Sequence, residues 1–302
     1  MEMAVSEARA RSADLVLATD PDADRLGVAV RRSADGNHWV RLTGNQIAVL
    51  LAHHILETLD ARGEIPEGAV VVKTLVTTDL ITDIAERFGV GVRTDLLVGF
   101  KYIGEVIEKD LHDHPERFLF GAEESHGYLR GTFVRDKDAA GAAVLMAELT
   151  GRLKAEGRTP YDLLQDLYRR HGYYEERLRS FVLEGEKGLA EIRRIMDGLR
   201  REPPRAFADV RVVRVEDYAE GTIVDADTGK VVDRIGRPRG NLLIFRFSED
   251  GRSWLAARPS GTEPKIKFYL SLRAPVAGGD LEEVKRAASE EAERILASLP
   301  LA

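Results

Sequence analysis

Asp20, Asp22 and Asp24 stand at alternate positions in DPDADR, between the apolar runs Leu15 to Ala18 and Leu26 to Val30. Like charges that close repel, so a cation or bulk water has to compensate them. Mg²⁺ suits an all-oxygen set of a few carboxylates completed by water and a phosphate oxygen. The plainer reading is an acidic turn facing solvent, since a short DxDxD pattern also arises by chance. An EF-hand does not explain it: Arg25 takes the place of that loop's glycine and Arg31 the place of its closing glutamate. Arg25 instead sets a bidentate, phosphate-matching fork beside the carboxylates.

Three further loops carry reactive side chains. VGFKYIGE, residues 98–105, presents Lys101 at the start of a helix, where it could meet a phosphate, move a proton or simply be solvated. FGAEESHGYLRG, residues 120–131, gathers Glu123, Ser125 and His126; carboxylate, hydroxyl and imidazole suit hydroxyl-rich ligands, and a polar turn is the alternative. Ser125 and His126 are adjacent, so on a strand they point apart, and no orienting carboxylate is assignable; that argues against a hydrolase dyad. AARPSGTEPKIKFYL, residues 256–270, places Arg258, Ser260, Gly261, Thr262 and Lys265 between two strands. A guanidinium fork, two hydroxyls, backbone N–H groups and an ammonium make a phosphate cradle, although Pro, Ser and Gly also build ordinary hairpin turns. The Walker spacing GxxxxGK[ST] is missing.

The elements that must position these loops alternate. GNQIAVLLAHHILETLDARG repeats Ile47, Leu50, Leu51, Ile55 and Leu59 at helical steps and stops at Gly63. AVVVKTLV reads as a buried strand, GVGVRTDLL as a second strand and FLFGAEE as a third that ends in a loop; DLITDIAERFG, YIGEVIEKDLHD and AAGAAVLMAELTGRLKAEG read as helices. This pattern predicts an α/β fold with layered mixed sheets. EKGLAEIRRIMDGLRREPP is a helix stopped by Pro203 and Pro204, and beyond it DVRVVRVEDY, GTIVD, KVVDRIG, NLLIFRF, SWLAARP and KIKFYLSL are strands closed by one helix, a small α+β domain. The expected divisions are 1–64, 65–184, a helical linker at 185–205, and 206–302.

The 302 residues carry a net charge of −7, with 51 acidic against 44 basic side chains, which speaks against general nucleic-acid binding. No run of about 18 apolar residues could span a bilayer, so no membrane partner is expected. Absence of cysteine excludes disulfides and thiolate sites and agrees with a cytoplasmic setting.

Each loop is ambiguous alone, but in order and content DPDADR, GFKYIGE, GAEESHGYL and RPSGTEPKIKFYL resemble the metal, lysine, sugar and phosphate loops of the α-D-phosphohexomutases, the family of phosphoglucomutases and phosphomannomutases. EESHGYLRGTFVRDKDA is most similar to the bacterial phosphoglucomutase branch. The resemblance implies a four-domain fold around a cleft. It implies transfer of a phosphoryl group from a phosphoserine to a sugar 1- or 6-phosphate, through a bisphosphate such as glucose 1,6-bisphosphate. It assigns Mg²⁺ to Asp20, Asp22 and Asp24, phosphoryl contact to Arg25, and sugar hydroxyls to Glu123 and Ser125. Lys101 and His126 would assist binding or proton transfer, and Arg258, Ser260, Gly261, Thr262 and Lys265 would hold the non-reacting phosphate.

No segment resembling the family's TASHNP phosphoserine loop occurs in the sequence. The chain therefore reads as the end of the family's domain two (1–64), its domain three (65–184) and its C-terminal phosphate-binding domain (206–302). That reading expects a truncated mutase lacking the catalytic serine, whose cut second domain leaves an open sheet edge that could associate. A non-catalytic sugar-phosphate-binding protein is the alternative. A Mg²⁺-dependent phosphatase with Asp20 as nucleophile leaves residues 258–265 without a role.

Overall fold

The computed structural model describes every residue except Asp35, Arg237, Pro238, Thr262 and Ala302. It forms two compact units, Met1–His171 and Gly172–Ala302.

The first unit opens with α1 (Glu2–Ala10) and the antiparallel strands β1 (Leu15–Thr19), β2 (Leu26–Arg31) and β3 (Trp39–Arg41), which form one three-stranded sheet with β2 central. Val5 and Ala8 of α1 pack on Val16 and Ala29 of that sheet. The register Thr19 to Leu26 leaves residues 20–25 as the hairpin loop. Helix α2 (Gly44–Arg62) follows. Thr43 caps it reciprocally with Gln46, and Gly63 ends it in the left-handed region at φ 67°, a conformation that favours glycine.

A second sheet has the order β5–β4–β6–β7, built from β4 (Val70–Thr74), β5 (Gly91–Leu96), β6 (Phe118–Glu123) and β7 (Gly127–Leu129). β4 is parallel to both β5 and β6, while β7 returns antiparallel to β6. The crossovers are α3 (Leu80–Arg87) between β4 and β5, and α4 (Phe100–Glu105), extended by a π-helical turn at Val106–Asp110, between β5 and β6. Parallel strands need such helical crossovers, and the strands and helices bury Val72, Phe100, Ile103, Phe118 and Leu129 in one cluster. Helices α5 (Ala139–Ala155) and α6 (Pro160–His171) complete the unit. This is the layered mixed-sheet α/β fold that the alternating pattern predicts.

The second unit is one seven-stranded antiparallel sheet, ordered β13–β12–β11–β14–β15–β16–β8, with a small β9–β10 pair. Its strands are β8 (Tyr173–Val182), β9 (Ala206–Phe207), β10 (Val210–Arg211), β11 (Arg214–Asp217), β12 (Thr222–Asp225), β13 (Val231–Arg234), β14 (Leu243–Arg246), β15 (Trp254–Pro259) and β16 (Lys265–Ala274). Helices α7 (Gly185–Arg201) and α8 (Leu281–Ala297) bury Ile192, Met196, Ile295 and Leu296 with Leu255, Phe268 and Leu270. Strand β8 pairs with β16 along its whole length, so residues 173–182 belong to this sheet. The expected boundary at 184/185 thus falls inside the second compact unit, and the one at 64/65 inside the first. Among the described residues no helix is long and apolar enough to cross a membrane.

Candidate functional site

In the first unit the acidic hairpin closes on itself through Asp20. Its carboxylate accepts the backbone N–H groups of Asp24 and Arg25, both at 3.3 Å, and the Arg25 Nε at 2.6 Å. Partial burial opposes ionisation of Asp20, but the hydrogen bonds from Arg25 outweigh it and hold the carboxyl below the usual carboxylate range. Asp22 is exposed at the tip. Asp24 Oδ2 lies 3.1 Å from the ammonium of Lys137, while Asp24 Oδ1 is buried without a hydrogen-bond partner, 3.6 Å from Arg25 Nε.

The carboxylates suit a hard divalent cation by donor type, and the unmatched Asp24 oxygen is one ligand such an ion would take up. The arrangement itself is closed by cations of the chain: Asp20 is held by Arg25 and Asp24 by Lys137. Among the described residues no three His, Cys, Asp or Glu side chains converge as a ready metal cluster. The three predicted ligands therefore share one hairpin without sharing one focus.

The loop at 124–126 joins β6 to β7 and lies against this hairpin. Leu26 N–H donates to His126 O at 3.1 Å, the ring Nδ1 of His126 lies 3.1 Å from Leu26 O, and Arg25 bridges to Gly127. A carbonyl only accepts, so Nδ1 carries the proton and Nε2 is the acceptor of the neutral ring. Burial lowers the His126 pKa, against the bond to Leu26 and together with Arg25, so the ring is neutral at pH 7. His126 reaches φ 68°, a strained value for a non-glycine residue, and the two-sided pairing with Leu26 holds it there.

Glu123 is buried at the end of β6, and its Oε1 accepts the Gly99 N–H at 2.7 Å. Gly99 caps α4, so this bond ties the loop carrying Lys101 to the loop carrying Glu123 and Ser125. Lys101 is exposed, its ammonium 5.0 Å from the Tyr102 ring centroid, and Ser125 is exposed. Three of the four predicted loops are thus joined within one unit. Helix α2 supports them from below: Tyr128 OH donates to Gly44 O at 2.9 Å, and a Cβ on Gly44 would stand 1.9 Å from Glu124 O.

Lys137 is the residue that spacing alone misses. Its ammonium meets Asp24 and, at 2.7 Å, Asp136, and lies 5.4 Å from the Phe100 ring centroid. Burial disfavours its charge, yet Asp136 and Asp24 outweigh that and raise its pKa. The signal was the RDKD run after the sugar loop, which lies 113 positions from Asp24 in sequence terms by their numbers 24 and 137.

In the second unit, β15 and β16 pair antiparallel as consecutive strands, with Arg258 near the end of β15 and Lys265 at the start of β16. Ser260 N–H donates to Lys265 O at 2.8 Å, and Lys265 pairs with Glu263. Arg258 lies opposite Lys267, and Ser260 and Gly261 border an open pocket of 470 Å³ with Gly185, Glu186 and Leu189. Arg258, Ser260, Gly261 and Lys265 are therefore neighbours on one hairpin; Thr262 lies outside the described residues.

Residues 43–171 match the phosphoglucomutase/phosphomannomutase alpha/beta/alpha domain III. The phosphoglucomutase of Staphylococcus haemolyticus is 38% identical over 271 residues, 90% of this chain and 47% of that protein. The phosphoglucomutase of Staphylococcus epidermidis is 40% identical over 261 residues, 86% of this chain and 45% of its own length. The chain thus carries the phosphoglucomutase/phosphomannomutase domain III over residues 43–171 and is similar to phosphoglucomutases over about nine-tenths of its length. Among solved phosphohexomutase folds, parafusin from Paramecium superposes with a TM-score of 0.62 at 17% identity, covering 94% of this chain and 45% of that one. A phosphoglucomutase/phosphomannomutase family protein from Burkholderia thailandensis gives 0.53 at 17% identity, covering 98% and 49%. At such identity these likenesses bear on fold alone. The chain spans about half the length of the phosphohexomutase relatives it matches.

Proposed function

We propose that this chain binds a hexose phosphate for phosphoglucomutase-type catalysis, the intramolecular phosphotransfer that interconverts sugar 1-phosphate and 6-phosphate through a bisphosphate such as glucose 1,6-bisphosphate. The observation that carries the reading is the joining of the acidic, lysine and sugar loops through His126–Leu26 and Glu123–Gly99. The naming of its relatives as phosphoglucomutases supports it. The lack of cysteine supports a cytoplasmic setting for the reaction.

Phosphoryl transfer depends chiefly on positioning and charge neutralisation. Asp20, Asp22 and Asp24 would hold Mg²⁺, which neutralises charge on the transferring phosphoryl group when bound. Arg25 would turn its fork from Asp20 to that phosphoryl group. Glu123 and Ser125 would accept from and donate to sugar hydroxyls, which fixes the ring. Neutral His126 can take a hydroxyl proton at Nε2, and Lys101 would add positive charge beside it. Arg258, Ser260, Gly261, Thr262 and Lys265 would hold the second phosphate. The donor serine would come from the part of the relatives that this chain does not span.

Calorimetry of the purified chain with glucose 1-phosphate, glucose 1,6-bisphosphate and Mg²⁺, alongside an assay for glucose 6-phosphate, tests the reading. Saturable binding is expected. Arg258→Ala should weaken it by about 10- to 100-fold, the loss of charged hydrogen bonds worth about 1.5–3 kcal/mol. No binding at millimolar sugar phosphate would refute the assignment. Turnover by this chain at an ordinary mutase rate would refute the external donor, whereas binding without turnover agrees with it.

A further inference from the structure

The turn between β4 and α3, residues 75–79, lies outside the four loops and closes over a buried charge. Lys73, at the end of β4, is 1% exposed. Its ammonium pairs with Asp79 Oδ1 at 3.0 Å and donates to Thr77 O at 2.9 Å, so the turn is wrapped around Nζ. Thr74, Thr77 and Thr78 are buried with it. The Thr74 and Thr77 hydroxyls bond at 2.8 Å, and the Thr77 hydroxyl donates onward to Ala122 O at 3.5 Å. Thr78 N–H donates to Asn45 Oδ1 at 3.2 Å, next to Gly44, the residue that packs under Glu124 O.

Burying an ammonium and a carboxylate costs more than packing two apolar side chains of equal size, so such a pair contributes little net stability. What it does contribute is direction: a fixed number of donors and acceptors that admit one arrangement. Here that arrangement ends on Ala122, which lies in register with Lys73 across the parallel pair and immediately precedes Glu123. Two supports therefore converge on the sugar loop from this turn, through Ala122 on one side and through Asn45 and Gly44 on the other.

We infer that Lys73, held by Asp79 and Thr77, is a positioning residue for sugar recognition, fixing the Glu123 carboxylate without touching the ligand. The inference rests on the reading of Glu123 as a hydroxyl-binding residue. Removing the ammonium leaves β4 intact as a strand but frees the turn to shift, and the bond from Gly99 N–H to Glu123 should loosen with it.

The test compares the full chain with Lys73→Met and with Lys73→Met/Asp79→Leu, the double variant leaving no unpaired charge should the single one fail to fold. Calorimetry gives the affinity ratio of glucose 6-phosphate to inorganic phosphate, and amide exchange gives the protection of Gly99. In the folded variant the ratio should drop about tenfold with phosphate affinity unchanged, and Gly99 should exchange faster while Leu50 in α2 does not. A folded variant that keeps the ratio, whether or not Gly99 loosens, overturns the positioning role and leaves Lys73 a purely structural residue. A wild-type chain with a ratio of one instead refutes the sugar-binding reading itself, and that result is read before any variant is made.

Discussion

At the residue scale, His53 shows how a buried titratable group sets a pH limit. It is enclosed in α2, edge-on to Phe88 at 6.0 Å, and burial lowers its pKa to about 4, against the nearby Glu57. An unfolded histidine titrates near ~6.5. Between those values the unfolded chain binds a proton that the folded chain refuses, so this contribution is complete above about pH 6.5 and is lost as pH falls toward 4. The loss amounts to about 3 kcal/mol by the lower limit. Urea unfolding at pH 7.5 and 4.5 should show a steeper drop for the wild type than for His53→Leu. Equal drops would assign the acid sensitivity to other groups. His54, whose pKa is also lowered by burial, reinforces the effect in the same direction.

At the scale of elements, α2 is the base on which the sugar loop rests. Gly44 has no room for a methyl group beneath Glu124 O, so Gly44→Ala must displace either the helix start or the loop. Overpacking of this kind costs about 1–3 kcal/mol. The expected outcome is a moderate fall in the denaturation midpoint with a larger loss of glucose 1-phosphate affinity, measured by calorimetry on the folded variant. Unchanged affinity would mean that the helix, not the loop, gives way. This helix was legible in the sequence because its apolar spacing and the terminal Gly63 are local signals, and β4, β5, β6 and α5 were legible for the same reason. α6 and β8 were not. β8 is half exposed, with the burial pattern of an edge strand, and its pairing with β16 joins segments far apart in the chain. Likewise the acidic triplet was visible, but the engagement of Asp20 by Arg25 and of Asp24 by Lys137 depends on how the loop turns and on which distant residue folds over it. Sequence spacing names the charged groups; only the fold says which of them neutralise one another.

For the whole molecule, the division at His171/Gly172 predicts where the chain can be cut. A fragment of residues 172–302 keeps β8 against β16 and should fold alone, with dispersed amide resonances and a cooperative thermal transition. A fragment of residues 185–302 exposes the full edge of β16 and should aggregate or give a broad transition. Equal behaviour of the two would show that β8 is dispensable to that sheet. The first unit imposes a constraint of another kind on anyone wishing to retune sugar preference by grafting. A foreign turn at 124–126 would arrive without the imidazole that meets the carbonyl of Leu26, and with a new residue obliged to take up the unfavourable dihedral of His126. The transplantable module is therefore a matched pair of hairpins, the acidic one and the sugar one together, and a donor sequence that supplies only one of them starts with a mismatch at their seam.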